Sequence, residues 1–438
     1  MNRPIGIDLF AGAGGMSLGF EQAGFDVVAA VEIDPIHAAV HKYNFPECAV
    51  IPKSVIGLKG SDIRKIAEIE GRNVDVVFGG APCQGFSLIG KRALEDPRNL
   101  LVREFVRIVL ELDASYFVFE NVKGLTVGKH RQVLEELVEE FTKIGYSVVL
   151  PWQVLNASLY RVPQNRERLF LLGAKKGKFI DGYPSPITRT PGTANNLFLP
   201  EGPTCYDALG DLPDVEMFDE LLTRDNVYAK GCYGKPSTYS RDLRCMDKAA
   251  WHNGYPRIWN RNLLTCSLRT EHSDISRRRF AKTLPGDVEP ISRFFRLSAQ
   301  GVSNTLRAGT DSARGAFTSP RPIHYEKPRC ITVREMARLQ GFPDWFRFHA
   351  TKWHGARQVG NSVPPPLARA IASAIIQAMG LKISPPDRSI ELGDTSLVQM
   401  DMSNAADYWE IQVPIGKRDR KSGARKRKQE DIEIMKVR

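Results

Sequence analysis

IGIDLFAGAGGMSLGFEQAGFDVVAAVEID, residues 5–34, decides the fold. An apolar run over 5–9 enters a glycine-rich turn, a helical pattern follows over 16–23, and a second apolar run ends in VEI. Strand, tight turn, helix and strand in that order form a βαβ unit with parallel strands. The same rhythm runs outward to residue 173: helical spacing at 35–43, VDVVFGG, helical spacing at 100–112, YFVFENV, helical spacing at 131–144, YSVVLPWQVL and RLFLLGA. Short strands separated by helices predict an α/β fold, a doubly wound and mostly parallel Rossmann-like sheet.

Beyond that block the pattern changes. Residues 179–330 are rich in Gly, Pro, Arg and scattered aromatics, as in TRTPGTANN, GCYGKPSTYS and RTEHSDISRRRF, and read as a smaller, irregular second domain with short strands. Residues 331–382 regain order: TVREMARLQ has helical spacing, and PPPLARAIASAIIQAMG opens on prolines suited to a helix start and closes at Gly380. This segment is expected to return to the domain of residues 1–178 and pack on its sheet. Residues 383–438 read as an extension ending in the basic GKRDRKSGARKRKQ, expected to be a flexible tail. No internal repeat is visible.

With 42% apolar and 25% charged residues, the 438-residue chain has the composition of a soluble globular protein, not of a disordered, collagenous or coiled-coil one. No apolar run is long enough to span a bilayer, and MNRPIGIDLF starts as a strand where a signal peptide would be basic and then apolar, so an intracellular location is expected. The seven cysteines include no C-x-x-C pair, which supports neither a zinc ribbon nor a disulfide framework. The net charge of +11 is unevenly placed: −2 over 1–173, +7 over 174–330, 0 over 331–416 and +6 over 417–438. A polyanionic partner would therefore meet the middle segment and the tail.

Several short motifs carry chemistry. In DLFAGAGGMSLGF, Gly12, Gly14 and Gly15 let the backbone turn tightly beside a ligand at a helix start. A dinucleotide-binding loop would carry glycine at the last position of G-x-G-x-x-G, where this chain has Ser17. Glu32, ending the second strand, suits the hydroxyls of a ribose, and Asp62, after a third strand, suits a base or amino group. The same residues also read as ordinary turn glycines and a solvated strand end. GGAPCQGFS places Cys83 at the C-terminal end of a parallel strand, where open α/β sheets bind ligands. A lone cysteine is more often a buried small apolar residue, but the neighbouring strand ends in Glu120 and Asn121, a carboxylate at the same mouth. In PQNRERLFLL the alternation of a strand puts Gln164, Arg166 and Arg168 on one side, where an arginine would hold Glu120 and donate to a carbonyl; an ordinary surface pair is the bland alternative.

In order, DLFAGAGG, VEIDP, GGAPCQGFS, ENV, QNRERLF, REMARLQGFP and QVGNSVPPPLA resemble the DNA (cytosine-5) methyltransferase family of prokaryotic restriction-modification type, over roughly half the chain. The resemblance implies S-adenosylmethionine as cofactor, S-adenosylhomocysteine as its product, no metal, base flipping, and a target recognition domain between QNRERLF and REMARLQGFP. It makes Cys83 the nucleophile at cytosine C6, Glu120 the proton donor toward N3, and Arg168 the holder of O2, with Arg166 in support. Phe10, Gly12, Gly14 and Gly15 fall to the methionine moiety and Glu32 to the ribose; Ile33, Asp62 and Pro82 fall to the adenine and sulfonium surroundings, and Asn361, Ser362 and Val363 complete the pocket. Gln84 and Ser87 lie in a loop, 84–91, able to close over the flipped base. Thr305, beside Leu306, matches a phosphate-contacting pair. Arg277, Arg278, Arg279, Arg307, Arg314 and Arg321 are further DNA candidates, each also readable as a solvated arginine. The implied partner is double-stranded DNA, with no membrane, a cognate restriction endonuclease acting separately, a monomeric state and a cytoplasmic, nucleoid-associated location. Two related alternatives are a transfer-RNA cytosine-5 methyltransferase, disfavoured by the long basic insert and a missing Cys-Phe-Thr segment, and a noncatalytic DNA-binding relative, disfavoured by the retention of Cys83 and Glu120. A nicotinamide-dependent dehydrogenase, the third, leaves PCQ and ENV unexplained.

Overall fold

The computed structural model describes residues 3–82, 99–194, 196–309 and 320–413. Cys83, Gln84, Ser87 and Arg314 and the basic tail from 417 lie outside them. The first strand, β1 (Ile5–Leu9), is buried at every position, as its unbroken apolar run requires of a strand covered on both faces. It is followed by α1 (Gly15–Ala23), β2 (Asp26–Val31), α2 (Pro35–Asn44), β3 (Ala49–Ile51), α3 (Gly60–Ile66), β4 (Val76–Gly79), α4 (Leu100–Glu111), β5 (Tyr116–Val122), α5 (Arg131–Lys143), β6 (Tyr146–Val148), β7 (Gln153–Asn156) and β8 (Glu167–Lys175). The eight strands form one sheet in the order β3-β2-β1-β4-β5-β8-β6, with β7 also on β8. The pairs from β3 to β5 are parallel; β8 runs antiparallel to its neighbours. The expected strand YSVVLPWQVL is two strands on the same edge of β8, because Pro151 has no N–H to donate to a ladder.

Helices cover both faces. On one, Phe105, Ile108, Leu134 and Phe141 of α4 and α5 pack on Ile7, Val77, Phe117 and Phe119. On the other, Met16 and Phe20 of α1 pack with Phe78, Phe170 and the long C-terminal helix Pro365–Ala378. The two helices approach closely because Gly19 has no side chain: a Cβ there would lie 2.4 Å from Ala368 Cβ.

Between 179 and 330 the helices α6 (Cys205–Leu209), α7 (Thr238–Leu243) and α8 (Asp274–Lys282) are short, and the described strands Val227–Tyr228, Arg257–Ile258 and Leu263–Leu264 have two residues each. The core does not break at residue 330. Cys205, Leu209, Tyr239, Cys266 and Leu306 share one apolar cluster with Val333, Met336, Phe342 and Phe346, and with Val40 and Tyr43 of α2. Nor do residues 383–413 hang loose: Ile390–Glu391 pairs with Arg257–Ile258, Leu397 and Val398 are buried, and Trp409 Nε1 donates to Pro35 O at 3.1 Å.

At the centre of that shared core lies α9 (Val333–Leu339), whose Arg338 is fully buried. Its guanidinium donates to both carboxylate oxygens of Asp344, at 2.8 and 2.6 Å, and to Asp211 and Ala208 O. The buried guanidinium is the main partner of both carboxylates; without it Asp211 keeps only Arg244, at 3.3 Å, and Asp344 only Arg334, at 3.8 Å, among the described residues. Arg338→Met is expected to cost about 3–5 kcal/mol in urea unfolding. A loss below about 1 kcal/mol would show that Arg244 and Arg334 suffice for Asp211 and Asp344.

Candidate active site

The order of strands reverses between β1 and β4, and at their C-terminal ends lies an open cavity of about 660 Å³. Such a crevice is where doubly wound sheets take ligands, and its volume suits a nucleoside-sized molecule. Phe10, Gly12, Gly15, Glu32, Ile33, Pro82, Glu120, Arg168, Asn361, Ser362 and Val363 of the expected residues line it.

The turn after β1 is held in a conformation that few residues adopt: Phe10 has φ +62° and Gly12 φ +56°. Glu32 clamps it, its carboxylate accepting from Gly12 N and from Asp34 N, both at 2.8 Å. Gly15 lets the segment at 362–363 press on the helix start, since a Cβ would lie 2.6 Å from Val363 O. Ile33 is 63% exposed, an apolar side chain left open on the cavity rim.

Two expected cofactor residues are not on the cavity wall. Gly14 faces away, where a Cβ would lie 2.4 Å from the Phe45 ring, so its smallness serves packing and the left-handed turn at φ +101°. Asp62 is exposed on the first turn of α3, where its carboxylate accepts from Lys59 N at 3.1 Å as part of a capping box. The wall after β3 is built instead by Lys53, Ser54 and Val55, directly following the strand.

The motifs alone did not single out Asp8. It is buried on the cavity floor; one oxygen accepts from Ser17 Oγ at 2.6 Å, and the other, Oδ1, has no hydrogen-bond partner among the described residues. Ser17, where a dinucleotide loop has glycine, is thus the support of a cavity carboxylate. Burial pushes the Asp8 carboxyl up to about 8, with the charge of Glu32 adding to the shift. Gln358 likewise lines the cavity, its Nε2 without a hydrogen-bond partner among the described residues while its Oε1 accepts from His349 N at 2.9 Å.

Beside this half lies a second group. Arg168 Nε and Glu120 Oε1 are 2.9 Å apart, both mostly buried, because β5 and β8 pair with Val122 opposite Arg168. Burial raises the Glu120 carboxyl above its ordinary range, against the pull of Arg168 and then Arg166. Gly80 makes room for the carboxylate, since a Cβ there would lie 2.4 Å from Glu120 Oε2. Asn121 Nδ2 donates to Ala81 O at 3.0 Å, fixing the chain two residues before Cys83. Arg166 does not join this group by a hydrogen bond among the described residues: fully buried, it donates to Leu306 O at 2.9 Å and Gly360 O at 2.6 Å.

The basic residues of the middle segment divide. Arg278 and Arg307 are exposed. Arg277 is held by Glu216 through two hydrogen bonds, and Arg279 lies 3.3 Å from Glu289. Arg321 is buried, donating to Ile331 O and Thr270 Oγ1, and is unavailable to a surface ligand. Thr305 Oγ1 donates its proton to Asn165 O at 2.7 Å and can only accept from elsewhere. Among the described residues no cluster of three or more His, Cys, Asp or Glu side chains is arranged to hold a metal, and no helix is long and apolar enough to cross a membrane.

A doubly wound sheet with a carboxylate-clamped glycine turn and a buried Glu–Arg pair at one switch-point cavity defines a Rossmann-like fold with a nucleoside-sized site, and the relatives make it a methyltransferase fold. The chain is 59% identical to the Type II methyltransferase M.XorII of Xanthomonas oryzae pv. oryzae over 93% of its own length and 92% of that protein's. It is 35% identical to the Type II methyltransferase M1.HphI of Haemophilus parahaemolyticus, covering 85% and 86% of the two chains. A prophage-encoded E. coli protein described as a DNA modification methyltransferase superposes with a TM-score of 0.67 at 33% identity, over 86% of this chain and all of that one. The family model for C-5 cytosine-specific DNA methylases matches residues 5–377, and the chain belongs to that family.

Proposed function

We propose that the protein binds S-adenosylmethionine in the switch-point cavity and methylates C5 of a cytosine swung out of duplex DNA, through a covalent bond between Cys83 and C6. The observation that carries this reading is the pairing of Glu120 with Arg168 on the wall of the same cavity that ends at Pro82, one residue before Cys83.

The cavity fits the cofactor by its donor set. The unpartnered Asp8 Oδ1 suits an ammonium, Glu32 at the strand end suits ribose hydroxyls, and Ile33, Val55 and Pro82 offer apolar walls for a flat base. When bound, the cofactor supplies an electrophilic methyl group on a sulfonium. Cytosine C5 is too weak a nucleophile to take it unaided. The Cys83 thiolate adds to C6, forming the S–C6 bond, while Glu120 gives its proton to N3 and the ring electrons move to C5. Arg168 holds O2 and orients Glu120, and the fixed pair meets the growing charge without reorganising. After C5 has gained the methyl group, N3 returns its proton to Glu120, a base removes the C5 proton, that electron pair re-forms the C5–C6 double bond, and the S–C6 bond breaks to release the thiolate. Flipping the nucleotide costs a few kcal/mol, recovered in pocket and phosphate contacts. Exposed Arg278 and Arg307 serve the phosphates, and Gln84 and Ser87, which follow Pro82 in the sequence, contact the DNA at the flipped base.

On this reading residues 179–330 carry the DNA-reading surface, and the enzyme acts as a cytoplasmic monomer protecting DNA from a separate restriction endonuclease. Transfer of labelled methyl groups from S-adenosylmethionine to unmodified duplex DNA tests the reading. Label on duplex DNA supports it, and label on transfer RNA alone moves the substrate to RNA.

Asp8 makes cofactor binding pH-dependent. With its carboxyl raised to about 8, the free protein holds a proton there at neutral pH, and pairing with an ammonium expels it. Affinity for S-adenosylhomocysteine is therefore expected to rise with pH between 6 and 7.5, by up to about tenfold per unit, with proton release seen by calorimetry in buffers of different ionisation heat. Asp8→Asn should flatten that slope. A flat profile in the unaltered protein would place the ammonium elsewhere.

A further inference from the structure

Gln164, Gln340 and Arg166 are each completely buried, and none lines the cavity. Their hydrogen bonds form a directed chain. Gln340 Nε2 donates to Val359 O at 3.0 Å and Ser362 O at 2.6 Å, which turns its Oε1 toward Gln164. Gln164 Nε2 donates to that oxygen at 2.7 Å, leaving Gln164 Oε1 to accept from Leu306 N at 3.1 Å. Reversing either amide would set an NH₂ against a donor or an oxygen against carbonyls, so the orientation of the whole chain is fixed. Arg166 ties the same two segments in parallel, to Leu306 O and Gly360 O. Both backbone groups of Leu306 are thereby held: its O by Arg166, which also grips Gly360, and its N by Gln164, which reaches Val359 and Ser362 through Gln340. The segments touch as well: a Cβ on Gly360 would lie 2.4 Å from Ala308 N.

One end of this clamp, Gly360 to Ser362, is cavity wall; the other carries Thr305 and the exposed Arg307. The geometry points to Gln164, Gln340 and Arg166 as positioning residues that couple occupancy of the cofactor cavity to the placement of the DNA-facing segment 305–307. The inference rests on the proposed function, which assigns those two surfaces. A ligand that orders residues 360–362 orders Leu306 through the amide chain, so each ligand tightens the other, reciprocally.

The test is the ratio of duplex DNA dissociation constants without and with saturating S-adenosylhomocysteine, in the unaltered protein, Gln340→Met and Gln164→Glu. The unaltered protein should show a ratio of about ten and the variants a ratio below about two, while each ligand alone still binds. A purely structural role would lower Tm and leave the ratio intact. In the unaltered protein, S-adenosylhomocysteine should also slow hydrogen exchange over 304–308, which needs no variant. A ratio near one in the unaltered protein, a ratio preserved in folded variants, or unchanged exchange at 304–308 overturns the coupling. Failure of either ligand to bind at all overturns the proposed function beneath it.

Discussion

Cys83→Ser is expected to lower methyl transfer by at least about four orders of magnitude and to leave duplex binding in place. A serine hydroxyl of similar size still fits, but at neutral pH it is not ionised and is a harder, poorer nucleophile toward a ring carbon than a thiolate. Without a bond at C6 the electrons of the ring never reach C5, so the loss falls on the chemical step and not on recognition. Gel-shift measurements beside a methylation assay separate the two. Serine retaining a tenth or more of the activity would mean that methylation proceeds without a covalent adduct.

Glu120→Gln is expected to lower kcat by about 10²–10⁴, the usual range for loss of a positioned proton donor. Glutamine keeps the size of the side chain and can still hydrogen-bond, but has no proton to transfer to N3. The burial that raises the Glu120 carboxyl keeps more of it in the acid form, and that form diminishes as pH rises. The unaltered enzyme should therefore lose rate on the alkaline side. Removing Arg168, whose charge pulls that pKa down, should move the alkaline limb to higher pH. Single-turnover rates across pH measure both effects, and an alkaline limb unmoved by Arg168→Met would separate Glu120 from the titration.

The sheet was legible because β1, β4 and β5 are buried on both faces, and buried strands read as unbroken apolar runs between helices. Glu32 and Glu120 were placed at the cavity because each closes a parallel strand, and Arg168 because it opens β8, whose antiparallel run brings its start beside the end of β5. Turn residues were less so. Gly12 and Gly15 border the cavity while Gly14 turns toward Phe45, a difference set by successive φ angles and not by residue type. Asp62 stands on the first turn of α3, after a turn over 52–59 whose first residues form the cavity wall, so sequence position alone did not show its distance from that wall. The burial of Arg338 was hidden for another reason: one of its carboxylate partners, Asp211, is 127 residues away in a segment without periodicity. Its helical spacing alone could not distinguish a solvated arginine from the centre of a core. Sequence separation also hid the hydrogen-bond partners of Arg166, since Leu306 and Gly360 are 140 and 194 residues away.

The most direct test of cytosine C5 methylation is incubation of unmethylated genomic DNA with the purified protein and S-adenosylmethionine, followed by base-resolution sequencing for 5-methylcytosine. The account predicts 5-methylcytosine at one short recurring sequence, absent when Cys83→Ser replaces the unaltered protein. Methylation at other base positions, or no methylation of DNA while both S-adenosylhomocysteine and duplex bind, would contradict it.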